Sequence, residues 1–329
     1  MKCLTQLRLF LMAVVIALPF GMAQTAAAEY PTKPVTLVSP YGPGGAADLA
    51  ARTLSATAQS HLGQGILVVN RTGAAGVTGS TTVAKGKADG YTLLLARVGS
   101  QAAVPAMNHT IPYTWDEYTF LGLLELNPFV VVVNADSPYQ TLDDIKAALG
   151  EGKKLSYSSA GVGTLLHVAM AMVLDQFGLE ADAMKHVPYK GGGKAAAAVV
   201  GGHVDMMFQN LSGVISNIEA GKLRALAVST PERVASIKDV PTVSEAGYPA
   251  LEAVVGWSGL WGPLNLPEDV TAKWVDILAQ LKEDKAWNKM TKGLGSTPDI
   301  RNPEDTKAFV KNQYEAFKTL TEKLGMTIK

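Results

Sequence analysis

One unit is written twice along this chain: a short apolar strand, a glycine-rich turn, a helix, and then a second such pass. In the first copy Val35–Ser39 reads as strand, Pro40-Tyr41-Gly42-Pro43-Gly44-Gly45-Ala46-Ala47-Asp48 as turn, and an apolar-periodic helix runs on from Leu49. Ile66–Asn70 then leads into Gly73–Gly79, and Tyr91–Leu95 supplies a third strand. The second copy has Leu155–Tyr157, the turn Ser158-Ser159-Ala160-Gly161-Val162-Gly163, and a helix from Thr164. His186–Tyr189, Gly191-Gly192-Gly193, an alanine-rich helix and Val204–Phe208 complete it. Strands alternating with helices predict parallel α/β units, and two copies predict two lobes. Each lobe then carries a bare backbone turn at a helix N-terminus. The unsatisfied N–H groups and the positive helix end make such a turn an anion site. Two turns facing each other would clamp one anion.

The N-terminus reads as an export signal. Lys2 and Arg8 give a positive start, Leu9–Leu18 is an unbroken apolar run, and Ala26-Ala27-Ala28 offers a small-residue cleavage site before Glu29. The run is well short of the roughly 20 residues a membrane-spanning helix needs. Residues 1–28 are therefore assigned to a signal peptide and the mature protein to the periplasm. Cys3, the sole cysteine, falls inside that segment, so no disulfide or thiol chemistry is expected of the mature chain. Basic and acidic residues balance at 29 each, and loss of Lys2 and Arg8 leaves a net charge of −2. No basic stripe recommends nucleic acid as a partner. About 300 mature residues suit two domains of ordinary size. The expected lobes are 29–127 together with 253–329, and 128–252. Asn127-Pro128 marks one crossing, just before the β-branched run Phe129–Val133, and Trp257–Pro263 marks the return. Helices are expected at Leu142–Ile145 onward, Asp269–Leu281 and Pro303–Leu324.

The glycine turns admit three readings. Gly42-x-Gly44-x-x-Ala47 matches a relaxed dinucleotide fingerprint, with Asn70-Arg71 ending the next strand, but Pro43 interrupts the turn. The glycines could serve packing alone, or the two turns together could bind an anion. Catalytic patterns are weak. Gly256-Trp257-Ser258-Gly259-Leu260 has leucine where a nucleophile elbow needs its last glycine. Gly191-Gly192-Gly193-Lys194-Ala195 lacks the spacing and hydroxyl of a phosphate loop. His61, His109, His167, His186 and His203 show no metal-binding spacing. His167, on the first turns of its helix, is expected to pack or cap, with ligand contact as the alternative.

Several blocks, taken in order, resemble the tripartite tricarboxylate transporter solute receptors, the Bug receptors. They are Pro40–Asp48, Asn70-Arg71-x-Gly73-Ala74-Ala75-Gly76, Ala88-Asp89-Gly90-Tyr91-Thr92-Leu93 and Ser159-Ala160-Gly161-x-Gly163. His186–Gly192, Gly201-Gly202-x-Val204-Asp205-x-Met207-Phe208, Asp239-Val240-Pro241-Thr242 and Trp257-x-Gly259-Leu260 continue the match across the mature chain. The resemblance implies an α/β periplasmic binding protein of the type II, Venus-flytrap kind, with parallel-type sheets and a hinged cleft. It implies a receptor and not an enzyme, with no cofactor and no metal. The expected ligand is a small carboxylate, delivered to a large and a small membrane subunit by a monomeric receptor. Carried over by position, the first turn contributes Tyr41, Gly44, Gly45, Ala46 and Ala47. The second contributes Ser158, Ser159, Ala160, Gly161 and Thr164, and Ser100, Gln209 and Asn210 line the cleft. Ala46 and Ala47 replace hydroxyl side chains frequent in the family, which leaves backbone N–H groups there. Arg97 stands where a small polar residue is common, and Gln209 where an aspartate is. Both changes favour a dicarboxylate, its second carboxylate near Arg97, over an amine-bearing ligand; the alternative for Arg97 is a surface or hinge ion pair. A same-fold receptor for an aromatic acid or for sensing, and an exported α/β enzyme, are the other readings.

Overall fold

The structure, a computed structural model, describes residues 29–328. The expected signal peptide, with Cys3, lies outside the described residues. Two sheets divide the chain. The first is built from β1 (Val35–Ser39), β2 (Ile66–Asn70), β3 (Thr92–Arg97), β4 (Tyr118–Asn127), β10 (Gly256–Pro263) and β11 (Thr297–Arg301). The second takes β5 (Phe129–Asn134), β6 (Ser156–Ser159), β7 (Lys185–Pro188), β8 (Met206–Asn210) and β9 (Leu223–Val228). Around them lie α1 (Ala46–Leu62), α2 (Val77–Ala84), α3 (Val104–Met107), α4 (Leu142–Gly150), α5 (Leu165–Gln176), α6 (Gly192–Val200), α7 (Ile215–Glu219), α8 (Glu268–Glu283), α9 (Lys285–Gly293) and α10 (Pro303–Lys323).

The strand orders, β2-β1-β3-β10-β4-β11 and β7-β6-β8-β5-β9, follow one plan. In each sheet three strands run parallel, in the order second, first, third. Beside the third lies an antiparallel strand that has just entered from the other lobe: β10 in the first sheet, β5 in the second. The chain therefore crosses between lobes at Asn127-Pro128 and again between β9 and β10. The sheets are parallel on one side and antiparallel on the other, because each crossing strand must run back beside the parallel set. This is the two-lobed plan expected of the sequence.

Burial explains the strands. Phe129–Val133 are wholly buried on both faces, the pattern of a central strand, and each such side chain contributes roughly 1.5–3 kcal/mol relative to exposure. Phe129, Phe208 and Val173 share one apolar cluster with Leu94, Trp257 and Trp261, so the second lobe's core is continuous with one face of the first sheet. The opposite face of the first sheet packs separately under α1, α8 and α9 through Leu54, Leu93, Trp274 and Trp287. Among the elements that the sequence reading does not anticipate are β11 and α9. β11 contains Pro298 and Asp299 and is a half-exposed edge strand; α9 is short and polar, started by Asp284 accepting from the Trp287 N–H. β11 carries no periodic apolar signal, whereas α9 buries only Trp287 and Thr291 on one face of an otherwise polar run. After β3 the chain winds through a buried π-type turn, Gly99–Ala103, before α3.

In sheets of this order ligands bind beyond the carboxyl ends of the parallel strands, where the order reverses. Here that point lies between β1 and β3 in one lobe and between β6 and β8 in the other, and the two points face each other.

Candidate functional site

The turn after β1 is held from beneath. Asp48, buried, accepts the Gly44 N–H at 3.0 Å and Arg52 Nε at 3.0 Å on one oxygen, and Asn70 Nδ2 at 3.0 Å on the other. Asn70 Nδ2 also donates to the Tyr41 carbonyl at 2.9 Å. Burial works to raise the Asp48 pKa, but the bonds from Arg52, Gly44 and Asn70 outweigh it and hold the carboxyl below its usual range. Asn70 is thereby committed to fixing the turn. So is the Gly44 N–H, which removes Gly44 from the donors open to a ligand. What the turn leaves free is the start of α1. Its N-cap, Gly45, has no side chain to cap with, and the first intrahelical bond is Leu49 N–H to the Gly45 carbonyl. The Ala46 and Ala47 N–H groups stay open.

The second lobe repeats the arrangement. Ser158 is buried, its hydroxyl turned away to the Ala195 carbonyl at 3.0 Å. Ser159 Oγ lies 2.7 Å from His186 Nε2 and accepts the Gly161 N–H at 3.2 Å. Thr164 Oγ1 donates backward to the Gly161 carbonyl at 2.8 Å, so α5 also starts without a side-chain cap. The Leu165 and Leu166 N–H groups face no acceptor, since the first bond back to Thr164 comes from His167. Beneath this turn Tyr157, His186 and His167 form a stack, the two imidazoles 4.2 Å apart. His167 Nδ1 accepts the Gly163 N–H at 3.2 Å. Burial, and then the neighbouring His167, push His186 down to about 4; burial lowers His167 as well.

A third helix start joins them. α6 begins at Gly192 behind the N-cap Gly191 and is likewise uncapped. The three converge on one cavity of about 40 Å³, lined by Tyr41, Gly45–Ala47, Ala160, Thr164–Leu166, Gly192, Arg97–Gly99, Gln209 and Asn210. Three other helices are closed by side chains, Thr141 capping α4, Asp284 α9 and Asn302 α10; α2, α3, α7 and α8 also start without a side-chain cap, but none of their first residues lines this cavity. Of the residues expected at the site, Tyr41, Gly45, Ala46, Ala47, Arg97, Ala160, Thr164, Gln209 and Asn210 come together here. Gly44, Ser158 and Ser159 brace the turns instead. Ser100 is buried in the π-type turn, its hydroxyl 3.4 Å from the Arg97 carbonyl, and Gly161 lines a neighbouring chamber. The Gly191–Gly193 start is the feature that pattern reading passes over, because it matches no phosphate-loop motif.

Arg97 reaches the cavity wall already paired. Strand register sets Arg97 on β3, Ser258 on β10 and Glu125 on β4 in one row. Arg97 Nη1 donates to Ser258 Oγ and lies 3.6 Å from Glu125 Oε1, which accepts from Ser258 at 2.7 Å. Nη2 donates to Asn127 Oδ1 at 3.2 Å, and that oxygen also accepts from Ser212 of the second lobe at 3.1 Å. Arg97 is therefore a buried ion pair beside the hinge and not a free cation awaiting a second carboxylate. Burial lowers its pKa and Glu125 opposes this. Tyr41 is pushed up to about 12 by burial, against the pull of Arg97, and its hydroxyl donates to the Ala75 carbonyl at 3.0 Å. Gln209 closes on itself locally, donating to the Gly192 carbonyl and accepting the Asn210 N–H. The buried Asn210 Nδ2 has no partner among the described residues. The cavity thus presents open backbone N–H groups, and no carboxylate lines it.

The lobes meet here through backbone. A Cβ built on Gly193 would lie 2.8 Å from the Pro43 carbonyl oxygen, and one on Gly42 would lie 2.5 Å from the Lys190 carbonyl oxygen. A glycine seam brings the first turn and the α6 start into direct contact.

A donor-lined cavity between two lobes of this topology defines a solute receptor of the periplasmic-binding-protein class. The chain belongs to the tripartite tricarboxylate transporter receptor family, whose family model matches residues 50–326. The protein BugT of Bordetella pertussis is 30% identical over 316 residues, covering 94% of this chain and 95% of BugT. The solved structure of the periplasmic binding protein BugD aligns with a TM-score of 0.86 at 30% identity, over 91% of this chain and 100% of BugD. Two ligand-bound Rhodopseudomonas palustris structures align at 26% identity: MatC with malate, TM-score 0.82 over 88% of this chain and 99% of MatC, and a protein with adipate, TM-score 0.85 over 90% and 99%. The family and these neighbours are solute-binding receptors, not enzymes. Among the described residues no helix is long and apolar enough to cross a membrane.

Proposed function

We propose that this chain is an exported, monomeric periplasmic receptor that captures a small carboxylate and passes it to the large and small membrane subunits of a tripartite tricarboxylate-type transporter. The lobes would be 29–127 with 253–329, and 128–252. The observation that carries the reading is the convergence of three uncapped helix starts on one cavity. Each contributes free N–H groups and about half a positive charge from its dipole, while Arg97 and Glu125 cancel. One carboxylate, drawn to Ala46 and Ala47 from one side and to Leu165, Leu166 and Gly192 from the other, would hold the lobes shut. Asn210 Nδ2 would donate to a further ligand oxygen. The malate and adipate found in relatives are ligands of this chemistry. No carboxylate lines the cavity to balance an ammonium group, so its desolvation would be poorly compensated.

A thermal-shift screen tests this. A ligand that binds only the folded form, present at a hundredfold excess over its dissociation constant, stabilises it by about 2.7 kcal/mol. At least one di-, tri- or aromatic carboxylate should raise the melting temperature clearly. Amino acids, sugars and nucleotides should not. Stabilisation by nucleotides alone would overturn the reading.

A further inference from the structure

Beyond the head-group cavity, and sharing its walls Tyr41 and Ala160, lies a second chamber of about 370 Å³. It too is built from both lobes, with the turn Gly73–Gly76 on one side and Gly161, Val162 and Tyr189 on the other. We propose that this chamber takes the far end of the ligand, and that the receptor selects elongated α,ω-dicarboxylates over short ones. The inference rests on the carboxylate reading above and extends it to a substrate class.

Three observations support it. First, the inner cavity is the smaller space by far, so a ligand anchored there by one carboxylate extends past Tyr41 into the outer chamber. Second, the outer wall holds backbone donors that have no protein partner. Ala74 and Ala75 both have positive φ, 46° and 56°, a conformation costly to a residue with a Cβ. Tyr41 pins that turn by its bond to the Ala75 carbonyl at 3.0 Å. The Ala74 and Ala75 N–H groups have no acceptor among the described residues, and consecutive backbone N–H groups in such a turn favour an anion. Third, no acidic side chain lines either chamber, and the one charged residue on the outer wall is Lys190. Arg97 cannot serve the second carboxylate as a free cation, because Glu125 already balances it. The unmatched donors for a second carboxylate lie on the Ala74–Ala75 turn.

Calorimetric titration of the mature protein with propionate, succinate, glutarate, adipate, pimelate and suberate tests the proposal. Affinity should rise at least tenfold from succinate to the best of adipate, pimelate and suberate. Val162→Trp, at a 63% exposed position on the chamber rim, should erase that gain while leaving propionate and succinate unchanged. Thr72→Trp, on the opposite exposed rim, is the independent second variant. Succinate binding as tightly as its longer homologues overturns the proposal, as do filled variants that weaken every ligand alike or none. If no carboxylate in the series binds, the elongated selection fails, and the carboxylate reading fails with it if the tri- and aromatic acids of the thermal-shift screen give no shift either. If short and long acids bind equally, that reading survives and only the elongated selection fails.

Discussion

Arg97 and Glu125 are each only 3% exposed, and neither is tolerable without the other. Removing one partner of a buried pair typically costs roughly 3–5 kcal/mol, because an uncompensated charge stays behind. Arg97→Met should therefore lower the unfolding free energy by about that amount in urea titrations without ligand. Adding Glu125→Gln should restore most of it. A loss under about 1 kcal/mol in the single variant would mean that water reaches the pair. The stacked histidines carry a second consequence at this scale. The unfolded chain binds protons at an ordinary histidine pKa of 6.5, whereas native His186 waits until about 4. Stability from the neutral stack is thus complete above pH 6.5 and drains away as pH falls toward 4. Protonated His167 would also lose its acceptor for the Gly163 N–H. Urea midpoints followed through this window should fall less steeply for His186→Phe, which keeps a stackable ring but does not titrate. An unchanged slope would remove the histidines from the acid response.

Between elements the decisive contact is the glycine seam. Gly193 lies in the first turn of α6 without a left-handed φ, so alanine fits the backbone and favours the helix. The nearest atoms its methyl would meet across the seam belong to the other lobe, the Pro43 carbonyl oxygen at 2.8 Å first among them. Gly193→Ala should leave ligand-free stability unchanged or slightly higher and weaken carboxylate binding at least tenfold, with scattering showing a molecule held more open. Undiminished affinity would mean that the seam does not form on closure. Such contacts also explain what can be read along the chain. The two turns and the crossing at Asn127-Pro128 are local signals of glycine spacing and β-branched runs, visible residue by residue. The row Arg97–Ser258–Glu125 joins residues up to 161 apart, through strand register alone, and no local pattern announces it. Gly44 looks like a donor until Asp48, four positions on, takes its N–H. The Gly191–Gly193 start resembles a spacer, and its role emerges only when two lobes place it opposite Gly42 and Gly45.

At the scale of the whole molecule, the proposed function requires that three helix starts from two lobes together form a single carboxylate site. Both sheets put their reversal points at the same interface, and the crossing strands β5 and β10 lie directly behind it. Closing the lobes would therefore assemble the proposed site, and a bound anion would favour the closed form through its contacts with both sides. The most direct measurement is amide NMR of the mature protein titrated with the carboxylate that most raises its melting temperature. The largest shifts, saturating together, should fall at the N–H groups of Ala46, Ala47, Leu165, Leu166 and Gly192, with Gly44 and Gly161 moving less because Asp48 and Ser159 already hold them. Shifts confined to one lobe, or largest at Gly44 and Gly161, would contradict the single shared site.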